Sequence, residues 1–465
     1  MIKRLPSLDG LRGVAILLVV ISHSWLGPFF NFWPRIGWTG VELFFVLSGF
    51  LITGILLDAR GAAHYFRNFY VRRVLRVFPL YYFVIAGSFL LAALLPARLA
   101  PQLVIPVGHY WTYWVFLSNF SMAKADKFSQ FAPGVTWSLA VEEQYYLLWA
   151  PVVLFLRGRL LAYACVAMYV LALVWRAFLI GWHGWLLASV VLLPSQMDAL
   201  AMGSLLAILL RVEGNKERAA RFAPWVLAVA AGGIVLNGIL AGAFFATDAR
   251  TSIVSMSLYP LMYGSLLTLA VAYPESAGSA VLRTPLLRTF GRYSYGIYLL
   301  HYAILVATFG LERYLLTSYQ LSGQLLYTIT FVVLSLAAGW LSWCLLEQPA
   351  QRLKRRFEIG EPGAAERDAH TLGASQAART FGPWRLERPE LGLGLTGGVR
   401  RIRKVRLRPA HGFFCDRRWI LARGIHHGCG FASRRATGDA NPASGHLCGR
   451  MALDHKTWTS AGRRN

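Results

Sequence analysis

The sequence predicts an all-α fold of the polytopic membrane class, and three observations carry that expectation. Apolar runs of 18 or more residues recur, each long enough to cross a hydrocarbon layer of roughly 30 Å as a helix. Of the 465 residues 56% are hydrophobic and only 15% charged, against about a quarter charged in a soluble domain. Lysine and arginine gather between the apolar runs and in the last hundred residues, the bias of cytoplasmic segments. The net charge of +25 is therefore read as membrane topology, and no nucleic acid is expected as a partner.

Eleven apolar stretches lie at about 8–26, 38–57, 76–96, 104–121, 137–156, 160–181, 188–210, 224–243, 254–273, 291–309 and 324–346. The first lacks a small-residue cleavage pattern and is expected to remain as a span. Lys3 and Arg4 put the N-terminus in the cytoplasm, and a loop with Arg67, Arg72, Arg73 and Arg76 returns there after two crossings. If 104–121 also spanned, the basic segments 157–159, 211–221, 283–292 and 352–356 would all fall outside. That stretch holds His109, Asn119 and several aromatics, which suit an interfacial or re-entrant segment. The expectation is ten spans with both termini cytoplasmic. Residues 1–356 form the membrane domain, and 357–465 a basic, disordered cytoplasmic tail whose RRIRKVRLR run at 400–408 suits anionic lipid. Cys165, Cys344, Cys415, Cys429 and Cys448 have neither zinc nor disulfide-framework spacing, so no metal is expected.

The first span carries Asp9, Arg12 and His23. Arg12 and His23 are eleven residues apart, close to three helical turns, so they share a stripe roughly 16 Å long. Titratable groups inside a membrane helix cost free energy unless they face a partner or a watery cavity. On the fourth span Ser138, Glu142, Tyr145 and Trp149 share a face at i, i+4, i+7 and i+11. Counting from the outer surface sets His23 and Glu142 or Glu143 at matching depth, as a general-base pair. Glu42 in GVELFFVLSGFLI, where Ser48 and Gly49 allow close helix approach, and Ser294, Tyr298 and His301 in YSYGIYLLH add polar groups expected to face the same cavity. Asp198 reads as a lone mid-span acid and Glu347 as a helix-end structural group. Arg72, Arg73 and Arg76, beside Tyr65, Phe69 and Tyr70, have the planar forks that grip phosphates.

At these residues the chain resembles acyltransferase family 3, integral membrane O-acyltransferases acting on carbohydrates. The likeness covers roughly 3–355 and rests on six segments in the family's order: LDGLRGVAILLVVISH, GVELFFVLSGFLI, YFRNFYVRRVLRVFPLYY, WSLAVEEQYYLLWAP, DALAMGSLLA and YSYGIYLLH. The family's Arg-x10-His motif falls on Arg12 and His23, its basic motif on Arg72, Arg73 and Arg76, and its Trp-Ser-x3-Glu motif on Trp137, Ser138 and Glu142 or Glu143. The resemblance implies transfer of an acyl group, with acetyl the expected one, from cytoplasmic acyl-CoA to a carbohydrate hydroxyl. Acyl-CoA enters as co-substrate, with no bound cofactor. The implied setting is the bacterial inner membrane, and the acceptor exopolysaccharide, O-antigen or a lipo-oligosaccharide. GDS and DxxH motifs of the esterase-like domain that some relatives carry are absent from the tail. Two rivals belong to other classes. A proton-coupled transporter would also use intramembrane His, Glu and Arg, though no Gly/Pro-broken spans repeat in two halves. A non-catalytic part of a glycan-export complex would tolerate alanine at His23.

Overall fold

The computed structural model describes residues 5–24, 36–94, 108–129, 132–242 and 248–357, all within one compact unit, Met1–Pro383. Lys3, Arg4, Trp25 and the expected basic tail from 358 onward lie outside the described residues. Every regular element among the described residues is helical. The main ones are α1 (Pro6–Ser24), α2 (Gly40–Asp58), α3 (Tyr65–Leu94), α4 (Trp111–Trp114), α5 (Ser118–Ala125), α6 (Thr136–Phe155) and α7 (Gly158–Phe178). There follow α8 (Ala188–Val191), α9 (Leu193–Leu209), α10 (Asn215–Ala241), α11 (Met256–Ala272), α12 (Ala277–Leu282), α13 (Pro285–Ser342) and α14 (Gln348–Arg352).

Eight helices among the described residues are long and apolar enough to cross a membrane, and the protein is a multi-pass helical membrane protein. The helix α6, 20 residues long, has the length to span. Its central Glu142-Glu143-Gln144 keeps it out of those eight. The last of the eight runs for 68 residues, about three times what one crossing needs. Non-helical torsions at Gln320 (φ 46°, ψ −119°) break it. Its legs then fold back on each other: Gly323 packs on the Leu315 carbonyl, the Thr308 and Tyr327 hydroxyls lie 3.0 Å apart, and Gly339 packs on Ile297. The stretches 291–309 and 324–346 are thus the two arms of one hairpin.

One expectation agrees with the helices here, and one changes. The segment 104–121, of which 104–107 are not described, folds from 108 onward into the short helices α4 and α5, separated by a turn with Phe116 at φ 56°. Four and eight residues are too few to span. The arginines expected in a loop before the third span instead lie within the N-terminal half of α3. Tyr65 and Phe69, four residues apart and both buried, begin an apolar helical face there, which the interspersed arginines hide from a hydropathy average.

Backbone contact sets how the central helices pack. A Cβ on Gly291 of α13 would lie 1.7 Å from the Asp9 carbonyl oxygen of α1, and one on Gly13 would lie 2.0 Å from that of Leu287. The pair α2 and α9 does the same, Gly49 against Leu200 and Gly203 against Val46. Small residues let membrane helices approach this closely, where packing and polar contacts rather than hydrophobicity drive association. A further pair is tied by polar groups. The hydroxyls of Tyr65 and Tyr70 on α3 donate to the Ala150 and Leu147 carbonyls of α6 at 3.1 and 3.0 Å. That antiparallel pairing brings the middle of α6 alongside the arginines of α3.

Candidate active site

Two cavities among the described residues share Val41 and Tyr298 in their walls. The smaller, about 70 Å³, is lined by Arg12, Arg73, Arg76, Ser48, Ser138, Glu142, Ser294, Tyr295 and Tyr298 among others. Its carboxylate is firmly held. Ser48 Oγ donates to Glu142 Oε1 at 2.7 Å and the Tyr146 hydroxyl to Oε2 at 3.0 Å. The Arg73 guanidinium lies over the Tyr146 ring, 4.0 Å from its centroid, with Nε 4.0 Å from Glu143 Oε1. Neither of those two atoms has a hydrogen-bond partner, so the contact is a loose ion pair. Three guanidiniums thus face one lining carboxylate, an excess of positive charge suited to a polyanion.

Arg72 does not line this cavity. It lies near Lys354, just beyond the last long helix. Burial, together with the neighbouring guanidiniums of Arg76, Arg73 and Arg72, pushes the Lys354 ammonium down to about 7. Asp9 is one turn before Arg12 on α1 and contributes a nearby negative charge.

The larger cavity, about 350 Å³, contains His23, Trp38, Glu42, Trp137, Gln196, Tyr298 and Tyr302 within a mostly apolar wall. His23 Nδ1 is 2.8 Å from the Val19 carbonyl oxygen. A carbonyl only accepts, so the proton sits on Nδ1 and Nε2 keeps its lone pair. His301, fully buried, is oriented alike, with Nδ1 2.7 Å from the Tyr298 carbonyl oxygen. The two imidazoles meet edge to face with centroids 4.9 Å apart, and Tyr302 flanks His23 at 5.9 Å. Between the cavities the hydroxyls of Tyr298 and Ser138 are 2.5 Å apart.

The expected pairing of His23 with Glu142 or Glu143 is not formed. Glu142 belongs to the arginine cavity and Glu143 approaches Arg73, because α6 lies antiparallel to α3 with its acids level with the arginines. Depth counted from span ends leaves out how far one helix slides along another, which the Tyr65 and Tyr70 bonds to α6 set here. The residue beside His23 is His301. Of the shared face on α6, Ser138 and Glu142 reach the cavity. Tyr145 instead bonds Ser204 at 2.6 Å, and Trp149 donates to Thr53 at 2.8 Å. Asp198 is not alone either: it pairs at 2.5 Å with buried Arg176 of α7, which also donates to Ser257 at 2.6 Å. Sequence reasoning missed Arg176, Gln196 and Tyr146. An arginine and a glutamine within apolar runs were signals for the first two, while a tyrosine there is too common to single out.

Residues 5–344 match the family model described as an acyltransferase domain. The chain belongs to acyltransferase family 3. It is 30% identical over 322 residues to the peptidoglycan O-acetyltransferase OatA of Listeria monocytogenes, covering 66% of this chain and 50% of that protein. With the O-acetyltransferase OatA of Staphylococcus aureus it is 28% identical over 375 residues, 75% of this chain and 58% of the relative. The putative peptidoglycan O-acetyltransferase YrhL of Bacillus subtilis is 38% identical over 154 residues, 32% of this chain and 23% of that protein. The acyltransferase chain thus spans about half the length of the curated relatives it matches most fully. No solved structure matches it.

Proposed function

We propose that the protein transfers an acyl group, acetyl in the first instance, from cytoplasmic acyl-CoA to a hydroxyl of a cell-surface or lipid-linked carbohydrate. In this reading the chain crosses the bacterial inner membrane ten times with both termini cytoplasmic. Nine crossings are the eight apolar helices with the last counted as two arms, and α6 is the tenth. The membrane domain ends near 356. The names of the relatives add peptidoglycan to exopolysaccharide, O-antigen and lipo-oligosaccharide as acceptor classes.

The observation that carries the proposal is the shared wall. A cationic cavity suited to a phosphate-bearing donor abuts, across Tyr298, a cavity with a base-competent imidazole. Arg73 and Arg76 hold donor phosphates with their planar forks, and the thioester arm extends past Arg12 and Tyr298 toward His23. His23 Nε2 takes the proton of the acceptor hydroxyl as its oxygen attacks the thioester carbonyl. The tetrahedral intermediate collapses to ester and thiolate, and the imidazolium returns its proton to the thiolate. Val19, accepting from Nδ1, holds the ring in the tautomer this step requires.

The test is reconstitution of the full chain in vesicles with acyl-labelled CoA. Label appearing in glycan without an ion gradient supports the reaction. Gradient-driven uptake with no labelled glycan would instead make the protein a transporter.

A further inference from the structure

Acyl transfer beside His23 develops negative charge as well as positive. When a hydroxyl attacks a thioester carbonyl, electrons move onto the carbonyl oxygen, and catalysis gains most from a donor already aimed at that oxyanion. Many protons of the site are committed elsewhere. His23 and His301 direct their Nδ1 protons at the Val19 and Tyr298 carbonyls. Ser48 and Tyr146 donate to Glu142, and Tyr295 donates to the Val77 carbonyl at 2.6 Å. Arg12 is eleven residues before His23 on α1, about 16 Å along the helix. One carbonyl cannot lie beside both.

The residues common to both cavity walls are Val41 and Tyr298, and of these only the tyrosine has a side-chain donor. Tyr298 is buried on α13, its ring edge-on to Phe44 with centroids 6.2 Å apart and 5.8 Å from that of His301. Its hydroxyl is 2.5 Å from that of Ser138 on α6, and both lie 3.2 Å from the Val135 carbonyl oxygen. Two protons are thus shared among three oxygens. The phenol, the stronger acid, is the donor at the shorter contact, so Tyr298 donates to Ser138 and Ser138 to Val135. From that arrangement the tyrosine proton can turn to a new acceptor without leaving the buried carbonyl unpaired.

We propose that Tyr298 is a catalytic residue whose hydroxyl donates to the oxyanion of the tetrahedral intermediate, and that Ser138 is a positioning residue that frees this proton by satisfying Val135. The acceptor oxygen bonds to the thioester carbon, the carbonyl pair moves to oxygen, and the Tyr298 O–H turns from Ser138 to that oxygen. When the carbon–sulfur bond breaks, the pair returns to the carbonyl, the thiolate leaves, and Tyr298 turns back to Ser138. The phenol proton is never transferred. A thioester reaching from the arginines toward His23 passes the wall that Tyr298 shares, which sets its carbonyl within reach of the hydroxyl. The assignment rests on acyl transfer being the reaction of this site.

Initial rates of label transfer are measured on the full chain in vesicles over a range of acyl-CoA concentration. Tyr298→Phe keeps the ring against Phe44 and removes only the hydroxyl. Its kcat falls about 100- to 1,000-fold, the usual effect of losing one oxyanion donor, with the KM for acyl-CoA unchanged. Ser138→Ala lowers kcat less, about two- to tenfold, as expected for one neutral hydrogen bond. In the Tyr298→Phe background it has no further effect, because it acts through that hydroxyl. A fall of less than about tenfold in Tyr298→Phe, or additive losses in the double variant, overturns the assignment and leaves acyl transfer intact. If Tyr298→Phe does not accumulate, Ser138→Ala decides alone: lower kcat at unchanged KM supports the assignment, and undiminished kcat overturns it. A wild-type protein that transfers nothing from acyl-CoA removes the reaction and this assignment together.

Discussion

Replacing Arg73 by lysine separates donor recognition from topology, because charge is kept and only the shape of the cation changes. Topology counts cations, so Arg73→Lys should insert and accumulate normally. The arginine lies over the Tyr146 ring at 4.0 Å and lines the smaller cavity, where its fork can meet a phosphate with two parallel bonds. Lysine keeps a point charge and forfeits at least one charge-assisted hydrogen bond, worth roughly 1.5–3 kcal/mol. The acyl-CoA concentration for half-maximal transfer should therefore rise about ten- to a hundredfold. Arg72→Lys is the internal control. Arg72 is on the same helix but does not line the cavity, so its donor dependence should shift less than about threefold, short of the loss of one such bond. The assay is initial rate of label transfer against donor concentration in vesicles, with protein level matched. An unchanged donor dependence in Arg73→Lys, or an equal shift in both variants, would refute the assignment of this cavity to donor phosphates.

Four further outcomes follow from the geometry. His23→Gln should lower transfer about 100-fold or more, the usual worth of a general base, at unchanged abundance; residual transfer above a tenth of wild type would remove His23 from that role. Lys354, held down to about 7 by burial and three arginines, is charged below that pH and neutral above it. Acylation of the Lys354 amine by a reagent should therefore rise steeply between pH 6 and 8, read by peptide mass spectrometry; reactivity appearing only near the ordinary lysine value of about 10.4 would contradict the shift. Gly291→Ala would set a methyl 1.7 Å from the Asp9 carbonyl oxygen, and overpacking of this kind costs about 1–3 kcal/mol. Its thermal unfolding in detergent should come at lower temperature than wild type. Reporter fusions after Arg98 and after Lys127 should report the same side of the membrane, since neither α4 nor α5 spans; opposite reports would break the ten-crossing count.

Much of the helical framework was legible because apolar run length reports directly on membrane spans. The stretch read at 38–57 is α2, Gly40–Asp58, and 254–273 is α11, Met256–Ala272. Run length says nothing of vertical offset, and there the sequence reading of the site failed. Glu142 was matched to His23 by counting turns, whereas the tyrosines of α3 dock on α6 so that its acids meet Arg73. The same blindness hid Arg176, whose partner Asp198 is 22 residues away on another helix. Helical periodicity did better. Ser294, Tyr298 and His301 were expected on one stripe, and they fall along the two cavities and beside His23.

The glycine contact between α1 and α13 works as a ruler. Gly13 and Gly291 meet at backbone distance, His23 follows Gly13 by ten residues, and His301 follows Gly291 by ten. Both helices run the same way from that contact, so equal counts at about 1.5 Å per residue lift the two rings to one height, about 15 Å beyond it. Their meeting is thereby indexed to main-chain atoms, which no exchange of neighbouring side chains can shift. Removing one residue from either interval would swing that imidazole about 100° around its own axis and drop it about 1.5 Å. The interval should consequently tolerate many replacements and no change of length.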